Sequence, residues 1–142
     1  MIAVPARAAD LPGICSLLAS EGLPYGDLTE QSLTHFLALR EDDLLTGAVG
    51  LERYGDVALL RSLVVSAQHR RFGYGALLTD AIEKRAFAAG ARSIYLLTTS
   101  AEFFFQARGY RRIERSQAPT AIQTTTQFSA LCPSSAVLMV KP

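Results

Sequence analysis

The chain has 142 residues, of which 49% are hydrophobic and 19% are charged, and this composition is typical of one globular domain. Its 14 basic and 13 acidic residues leave a formal net charge of +1, which predicts neither a nucleic-acid partner nor binding to an anionic membrane. Cys15 and Cys132 are too few for a disulfide framework, and every apolar stretch is shorter than the ~20 residues of a membrane-spanning helix. We expect a single domain over residues 1–142, without a secretory leader, in the cytoplasm.

The first part of the chain combines one short strand with two helices. Residues 2–7 are an apolar run that predicts a strand, and Asp10 then caps a helix whose apolar residues recur at helical spacing. Asp27 and Glu30 have the spacing of a capping box, which predicts a second short helix over residues 27–33.

The middle of the chain changes to strand periodicity. Two pairs of turn-forming residues, Asp42-Asp43 and Gly55-Asp56, separate three apolar runs. These runs cover residues 36–41, 44–54 and 57–66. The pattern predicts an antiparallel three-stranded meander.

The rest of the chain alternates helices with strands. Residues 75–89 carry one apolar face and end at Gly90, which predicts the longest helix. Residues 93–98 contain a continuous apolar run, which predicts a strand covered on both faces of its sheet. Further helices are predicted over 101–108 and 120–131, and further strands over 110–115 and 136–140. The order is mixed α/β and differs from a doubly wound nucleotide-binding fold.

The segment LVVSAQHRRFGYG, from Leu63 to Gly75, joins a predicted buried strand to the longest helix. Gly73 and Gly75 leave backbone N–H groups uncovered at a helix N-terminus, where unpaired donors and the helix dipole attract phosphate. Arg70 and Arg71 add positive charge at the same place. The segment therefore predicts an anion site, and the alternative is a turn that needs glycine for steric reasons alone.

This segment resembles the GCN5-related N-acetyltransferase (GNAT) superfamily, in which a Leu-x-Val strand end precedes Arg/Gln-x-x-Gly-x-Gly/Ala and a long helix. ARAAD at residues 6–10, Gly90 and FFQARGY at residues 104–110 also fall where that superfamily has equivalents. The resemblance covers nearly the whole chain. It implies an α/β GNAT fold with a central mixed, mostly antiparallel sheet of about seven strands flanked by four to five helices. It also implies that acetyl-CoA binds in a cleft between the two central parallel strands.

The same resemblance implies the residues that hold acetyl-CoA. Arg70 would lie beside its pyrophosphate, and the main chain of Leu63 and Val65 would bond the pantetheine arm and polarise the thioester carbonyl. The pyrophosphate itself would rest on the amides of Arg71, Phe72, Gly73, Tyr74 and Gly75.

Two positions depart from the pattern of the superfamily. Thr98 replaces a frequent asparagine, and its hydroxyl either hydrogen-bonds the co-substrate or only ends a strand. Phe105 replaces a tyrosine that protonates the departing CoA thiolate in many members. Phenylalanine has no proton to give. A thiolate is a good leaving group near neutral pH, so water could replace the acid.

Several short motifs look like the small acetyltransferases associated with arsenic-resistance operons. They are GLE at 50–52, LRSL at 60–63, YLLTT at 95–99, APTAI at 118–122, TQF at 126–128 and LCPSSA at 131–136. Relatives of that group acetylate the amino group of small toxic amino acids that carry phosphorus or arsenic. The resemblance therefore implies a small-molecule amine as the acetyl acceptor.

Glu52 is the candidate general base, because alternation places it on one strand face with Ala48 and Gly50, which are small enough to leave space. The alternative is a solvated carboxylate at a strand end. Arg61 lies in an apolar strand, where an unpaired charge is costly, so it needs a partner. That partner is either an anionic group of the substrate or an internal carboxylate such as Glu52. Ser62 either orients the amine or only packs.

The sequence predicts no metal site, since its cysteines and histidines lack the spacing of metal ligands. Three consecutive aromatic residues, Phe103, Phe104 and Phe105, leave a homodimer as an expectation. We expect an acetyl-CoA-dependent N-acetyltransferase that transfers the acetyl group directly to the amine, without a covalent enzyme intermediate. The alternative is a non-catalytic acyl-CoA-binding sensor that regulates a partner protein, for which the missing tyrosine is the argument.

Overall fold

The computed structural model describes all 142 residues, and its seven strands form one sheet in the order β1-β2-β3-β4-β5-β7-β6. The strands are β1 Val4–Pro5, β2 Phe36–Glu41, β3 Leu44–Tyr54, β4 Val57–Val65, β5 Ser93–Thr98, β6 Arg111–Ile113 and β7 Val137–Lys141. The α-helices are α1 Leu11–Ser20, α2 Tyr74–Ala88, α3 Glu102–Ala107 and α4 Thr120–Gln123. Short 3₁₀ turns cover Ala8–Asp10, Ser32–His35, Ala67–His69 and Arg115–Gln117, and a π-helical turn covers Gln127–Leu131. The predicted mixed α/β fold is confirmed.

The hairpin of β2 and β3 has the bounds that the sequence predicts. The two strands pair antiparallel, with Phe36 opposite Gly50. Asp42 and Asp43 between them have positive φ angles of 50° and 65°, which a tight two-residue hairpin turn requires. Gly55, after β3, also has a positive φ of 67°. The turn residues thus explain where these strands end.

β5 is the strand at which the sheet contains both parallel and antiparallel pairing. It pairs parallel with the first residues of β4, from Val57 opposite Ser93 to Leu59 opposite Tyr95. It pairs antiparallel with β7, which in turn pairs antiparallel with β6. A parallel connection needs a crossover, and α2 lies in the chain between β4 and β5. The predicted mixed, mostly antiparallel sheet is confirmed.

The chain forms two compact units, each with its own buried apolar cluster. The first unit comprises Met1–Glu52 and Leu60–Arg85, and the second comprises Arg53–Leu59 and Ala86–Pro142. The cluster of the first unit consists of Ile14, Leu18, Leu33, Phe36, Ala48 and Val64. The cluster of the second unit consists of Leu59, Ala118, Ile122 and Leu138. None of the helices has the length and apolar character that crossing a bilayer requires.

The helix predicted over residues 27–33 is wrong. The chain forms turns there, followed by the 3₁₀ turn over Ser32–His35. Asp27 caps no helix, because its carboxylate binds Arg61 in β4. Thr29 and Ser32 accept each other's backbone N–H groups with their side-chain oxygens, an arrangement of the capping-box type that precedes the 3₁₀ turn.

The helix predicted over residues 120–131 is interrupted. α4 ends at Gln123, and the π-helical turn begins at Gln127. Three consecutive threonines lie between them, and the hydroxyl of Thr125 donates to the carbonyl of Ile122 at 2.7 Å. β-Branched residues that bond their own backbone are poor helix formers, so the run of threonines breaks the helix.

Candidate active site

The predicted anion-binding loop connects β4 to α2 in the first unit. The chain leaves β4, makes a 3₁₀ turn over Ala67–His69 and enters α2 at Tyr74 and Gly75, where helix N–H groups lack intrahelical partners. Arg71 and Gly73 both have left-handed φ angles, 75° and 78°. Glycine adopts this conformation freely, whereas for arginine it costs about 1–2 kcal/mol. The surrounding structure therefore imposes the shape of the loop.

His69 anchors this loop to the sheet. Its Nδ1 and the Oγ of Ser66 share a hydrogen bond of 2.6 Å, and its Nε2 lies 3.1 Å from Oε2 of Glu41 in β2. The His69 ring also stacks with Tyr74, with ring centroids 6.4 Å apart. The N–H of Ser66 donates to the carbonyl of Thr46 in β3 at 2.8 Å. Contacts to two strands and to α2 thus hold the loop in place.

Both arginines of the loop are exposed to solvent. Arg70 forms an ion pair with Glu21, the residue after α1, and the Arg70 side chain is 53% exposed. Arg71 and Phe72 are also exposed, and the Phe72 ring lies near the Tyr74 ring, with 5.8 Å between centroids. An exposed ion pair contributes about 0–1 kcal/mol, so an incoming anion can replace Glu21 on Arg70.

Leu63 and Val65 are among the last three residues of β4. Val64 between them is buried and packs in the apolar cluster of the first unit, whereas Leu63 and Val65 are half-buried. Because side chains alternate across a strand, these two residues face away from that cluster. Gly47 of β3 fits closely beside them, since a Cβ there would lie 3.0 Å from the Val64 carbonyl oxygen. The main-chain role that the resemblance implies for Leu63 and Val65 stays a prediction.

Arg61 lies between two carboxylates. Its Nη1 and Nη2 donate to Oδ2 and Oδ1 of Asp27 at 2.6 and 2.7 Å, which is a bidentate pair. Its Nη1 also donates to Oε2 of Glu52 at 2.8 Å, and its Nε donates to Oγ of Ser62 at 3.0 Å. Four of the five N–H groups of the guanidinium are therefore used within the chain. The Arg61 side chain is only 3% exposed, whereas those of Asp27 and Glu52 are 20% and 24% exposed.

Hydrogen bonds within this cluster favour the charged forms of Asp27 and Arg61. The hydrogen bonds from Arg61 hold the pKa of Asp27 below its usual range, despite partial burial. Burial alone would lower the pKa of Arg61, but its bonds to Asp27 and Glu52 outweigh burial and the pKa is raised. One guanidinium faces two carboxylates, so with Glu52 ionised the cluster carries a net negative charge. Such a cluster attracts a cation such as an ammonium group.

The structure contains the internal ion pair between Arg61 and Glu52, one of the two partners that the sequence leaves open. A substrate-binding role of Arg61 stays a prediction. Ser62 accepts from Arg61 and has a left-handed φ of 60° within β4, which interrupts the extended backbone. Its role in orienting an amine also stays a prediction.

The space expected beside Glu52 is absent. Ala48 is fully buried in the apolar cluster, and the side of Gly50 that lacks a side chain is filled by the Phe36 ring. A Cβ on Gly50 would lie 2.3 Å from atoms of that ring. The small residues on this face therefore serve the packing of Phe36.

Thr98 and Phe105 belong to the second unit. The Oγ1 of Thr98 accepts the N–H of Ala101 at 3.0 Å, so this hydroxyl helps to shape the chain before α3. Phe105 is buried and packs edge to face on Tyr110, with ring centroids 5.5 Å apart. Its ring supplies no proton, as the sequence indicates. The parts that Thr98 and Phe105 play toward acetyl-CoA stay predictions.

The three consecutive phenylalanines do not form one exposed patch. Phe103 is 85% exposed, whereas Phe105 is buried and Phe104 packs on it edge to face at 5.0 Å. The exposed aromatic surface here is therefore a single ring, and the homodimer stays a prediction. No three His, Cys, Asp or Glu side chains are grouped so as to hold a metal ion.

Sequence reasoning missed Asp27, which is the main partner of Arg61. The position of Arg61 in an apolar strand did signal that it needs a partner, either within the chain or in the substrate. Asp27 is 34 residues away and also fits a local capping box, so no local signal could identify it. The Glu21–Arg70 pair likewise joins distant parts of the chain.

The model of the acetyltransferase (GNAT) family matches residues 14–110, which include the loop, Arg61 and Glu52. The chain belongs to the GNAT acetyltransferase family. Amino-acid acetyltransferases are among the relatives of this GNAT chain. The protein from Mannheimia succiniciproducens is 27% identical over 114 residues, which cover 75% of this chain and 26% of that protein. The protein from Pseudomonas syringae pv. tomato is 28% identical over 104 residues, which cover 72% and 24%. The chain thus spans about a quarter of the length of these relatives.

Solved structures share the GNAT fold of this chain. N-acetylglutamate synthase from Neisseria gonorrhoeae, complexed with coenzyme A and N-acetyl-glutamate, aligns with a TM-score of 0.84 at 22% identity. That alignment covers 98% of this chain and 34% of the synthase. A Mycobacterium tuberculosis protein solved in complex with CoA aligns with a TM-score of 0.80 at 18% identity, over 99% of this chain and 98% of its own.

Proposed function

We propose that this GNAT chain is an acetyl-CoA-dependent N-acetyltransferase that acts on the amino group of a small molecule. The observation that carries the proposal is the loop before α2. Arg71 and Gly73 are both left-handed there, within the part of the chain that matches the acetyltransferase family. The N-terminus of a 15-residue helix follows directly, and exposed helix N–H groups suit a pyrophosphate.

The proposed binding of acetyl-CoA follows from this loop. The amides of residues 71–75 hold the pyrophosphate, and Arg70 exchanges Glu21 for a phosphate oxygen. The main chain of Leu63 and Val65 bonds the pantetheine arm and polarises the thioester carbonyl. Solved structures of the same fold were crystallised with coenzyme A, which supports this placement.

The proposed chemistry is direct acetyl transfer with Glu52 as general base. Glu52 accepts a proton from the acceptor's ammonium group, and the freed nitrogen lone pair attacks the carbonyl carbon of the thioester. The new C–N bond forms, the C–S bond breaks, and CoA leaves as a thiolate. A water molecule takes the second proton from the nitrogen, which yields the neutral amide, and gives a proton to the thiolate. Water fills this last role because the position of the usual tyrosine is Phe105.

We propose an amino acid as the acceptor. The relatives named amino-acid acetyltransferases support this class, although the chain spans only about a quarter of their length. The motifs shared with arsenic-operon acetyltransferases narrow it to a toxic amino acid that carries phosphorus or arsenic. We place the protein in the cytoplasm, a reducing compartment in which Cys15 and Cys132 would remain thiols.

The test is acetyl-CoA-dependent thiol release with a panel of amines. The panel contains phosphorus- and arsenic-bearing amino acids, ordinary amino acids, polyamines and a lysine peptide. We expect saturable release with one class of amino acid. Glu52→Gln should lower kcat by about 10²–10⁴-fold while acetyl-CoA still binds, and Glu30→Gln, an exposed carboxylate, is the matched control.

Two results would overturn this proposal. If no amine gives release while acetyl-CoA binds to the same sample, the chain is a binding protein of the sensor type, which neither the family match nor the relatives support. If Glu52→Gln keeps the wild-type kcat, the assignment of the base is wrong even when transfer occurs.

A further inference from the structure

The segment between α1 and the 3₁₀ turn over Ser32–His35 has no regular structure, yet it supplies the main partner of a buried arginine. We propose that Asp27, on this segment, is a positioning residue for acetyl transfer: through Arg61 it sets the position and pairing of Glu52. The inference rests on the proposed function, since it needs Glu52 to act as the base.

The two hydrogen bonds to Asp27 fix the orientation of the Arg61 guanidinium. Both Asp27 oxygens bind Arg61, at 2.6 Å from Nη1 and 2.7 Å from Nη2, and a bidentate pair fixes the plane of the guanidinium. Ser62 fixes its Nε from the other edge, at 3.0 Å. With Asp27 and Ser62 bound, one N–H of Nη1 and one of Nη2 remain, and the N–H of Nη1 donates to Oε2 of Glu52 at 2.8 Å.

This arrangement restricts how tightly Arg61 can hold the base. Asp27 occupies the bidentate edge of the guanidinium, so Glu52 receives a single bond from Arg61. The Arg61 side chain is 3% exposed, so water cannot replace a lost partner there. Without the Asp27 carboxylate, the guanidinium would turn its two parallel N–H groups to Glu52. A base held in a bidentate salt bridge is less able to accept a proton from the acceptor.

The charge of Asp27 has a separate effect, on binding of the acceptor. Two carboxylates on one guanidinium leave a net negative charge at the proposed acceptor site, and both carboxylates are partly exposed there. Asp27 therefore also helps to attract the acceptor's ammonium group. Replacing it with asparagine removes this charge while it keeps the size of the side chain.

The experiment compares Asp27→Asn, Glu52→Gln and the double variant. We expect Asp27→Asn to lower kcat at least tenfold and to leave the KM for acetyl-CoA unchanged. In the Glu52→Gln background the same substitution should change kcat less than twofold, because its effect passes through Glu52. Asp10→Asn is the matched control: it removes a carboxylate that pairs with Arg40 of β2, and Arg40 lies opposite Leu45, seven residues along β3 from Glu52.

A second variant, Asp27→Glu, tests the same role if Asp27→Asn does not fold. Asp27→Glu retains the charge and moves the carboxylate by one methylene, and we expect an intermediate kcat with the same KM for acetyl-CoA. The inference is overturned if Asp27→Asn, or Asp27→Glu where only that variant folds, keeps the wild-type kcat. It is also overturned if the substitution lowers kcat by the same factor in both backgrounds. Full activity of Glu52→Gln would instead overturn the assignment of Glu52 and thereby the proposed function.

Discussion

Gly50→Ala tests whether the face that carries Glu52 is as closely packed as the structure shows. The added Cβ would lie 2.3 Å from two atoms of the Phe36 ring, whereas ordinary contact begins at 3.4 Å. The ring would have to move by roughly 1 Å. It has no space to do so, because Phe36 is 1% exposed and packs among Ile14, Leu18 and the other residues of its cluster.

The magnitude follows from known costs of overfilling a core. Inserting a methyl group into a packed core destabilises by about 1–3 kcal/mol, and the upper half of this range applies where a buried ring must move. Replacing glycine also restricts the unfolded chain, which stabilises the fold by about 0.4–1 kcal/mol and offsets part of this destabilisation. We therefore expect Gly50→Ala to lower the free energy of unfolding by about 2 kcal/mol. For a chain of this length that corresponds to a fall in Tm of about 6 °C.

Urea and thermal unfolding followed by far-UV circular dichroism measure this loss, since the chain has no tryptophan for fluorescence. Gly26→Ala is the control, because no atom lies within 4 Å of its added Cβ and its φ is not left-handed. It should be neutral or slightly stabilising. A Gly50→Ala protein within 0.5 kcal/mol of Gly26→Ala would refute the argument from close packing.

Two further predictions concern the ion pairs of the first unit. Glu21→Gln removes the ion-pair partner of Arg70 and so frees Arg70 for the pyrophosphate. Calorimetry should then show that acetyl-CoA binds up to about fivefold more tightly. Weaker binding, or the same gain in the control Glu30→Gln, would contradict this. The second prediction concerns the stability of the fold at low pH. Because Arg61 lowers the pKa of Asp27 from its ordinary 3.8, this carboxylate stabilises the fold above that pH and loses its contribution as the pH falls further. The stability difference between the wild type and Asp27→Asn, measured by urea unfolding, should be constant from pH 7 to about 4.5 and shrink below pH 4; a difference that grows in acid would exclude this linkage.

Local signals in the sequence were sufficient where neighbouring residues decide the structure. Asp42 and Asp43 turn the chain between β2 and β3, and the left-handed φ of Gly73 shapes the loop before α2. Both features depend on the backbone preferences of a few consecutive residues. The bounds of β2 and β3 and the glycine-dependent turn before α2 were therefore predictable.

Contacts between distant residues account for what the sequence analysis missed. A buried Arg61 requires a partner, but nothing in the sequence marks Asp27 as that partner rather than as a helix cap. Gly50 suggests open space next to Glu52, whereas the three-dimensional structure brings the Phe36 ring into it. Only the strand register, which sets Phe36 opposite Gly50, reveals this.

The division of β4 between the two units has a consequence for synthesis on the ribosome. A nascent chain that ends at Arg85 contains every residue of the first unit. It also contains Val57–Leu59, whose parallel partner in β5 has yet to be made. These apolar residues stay without that partner until Ser93–Thr98 emerges, and unpaired apolar strands invite association with other chains. A truncation near residue 85 should therefore yield an aggregating fragment rather than an isolated half of the protein.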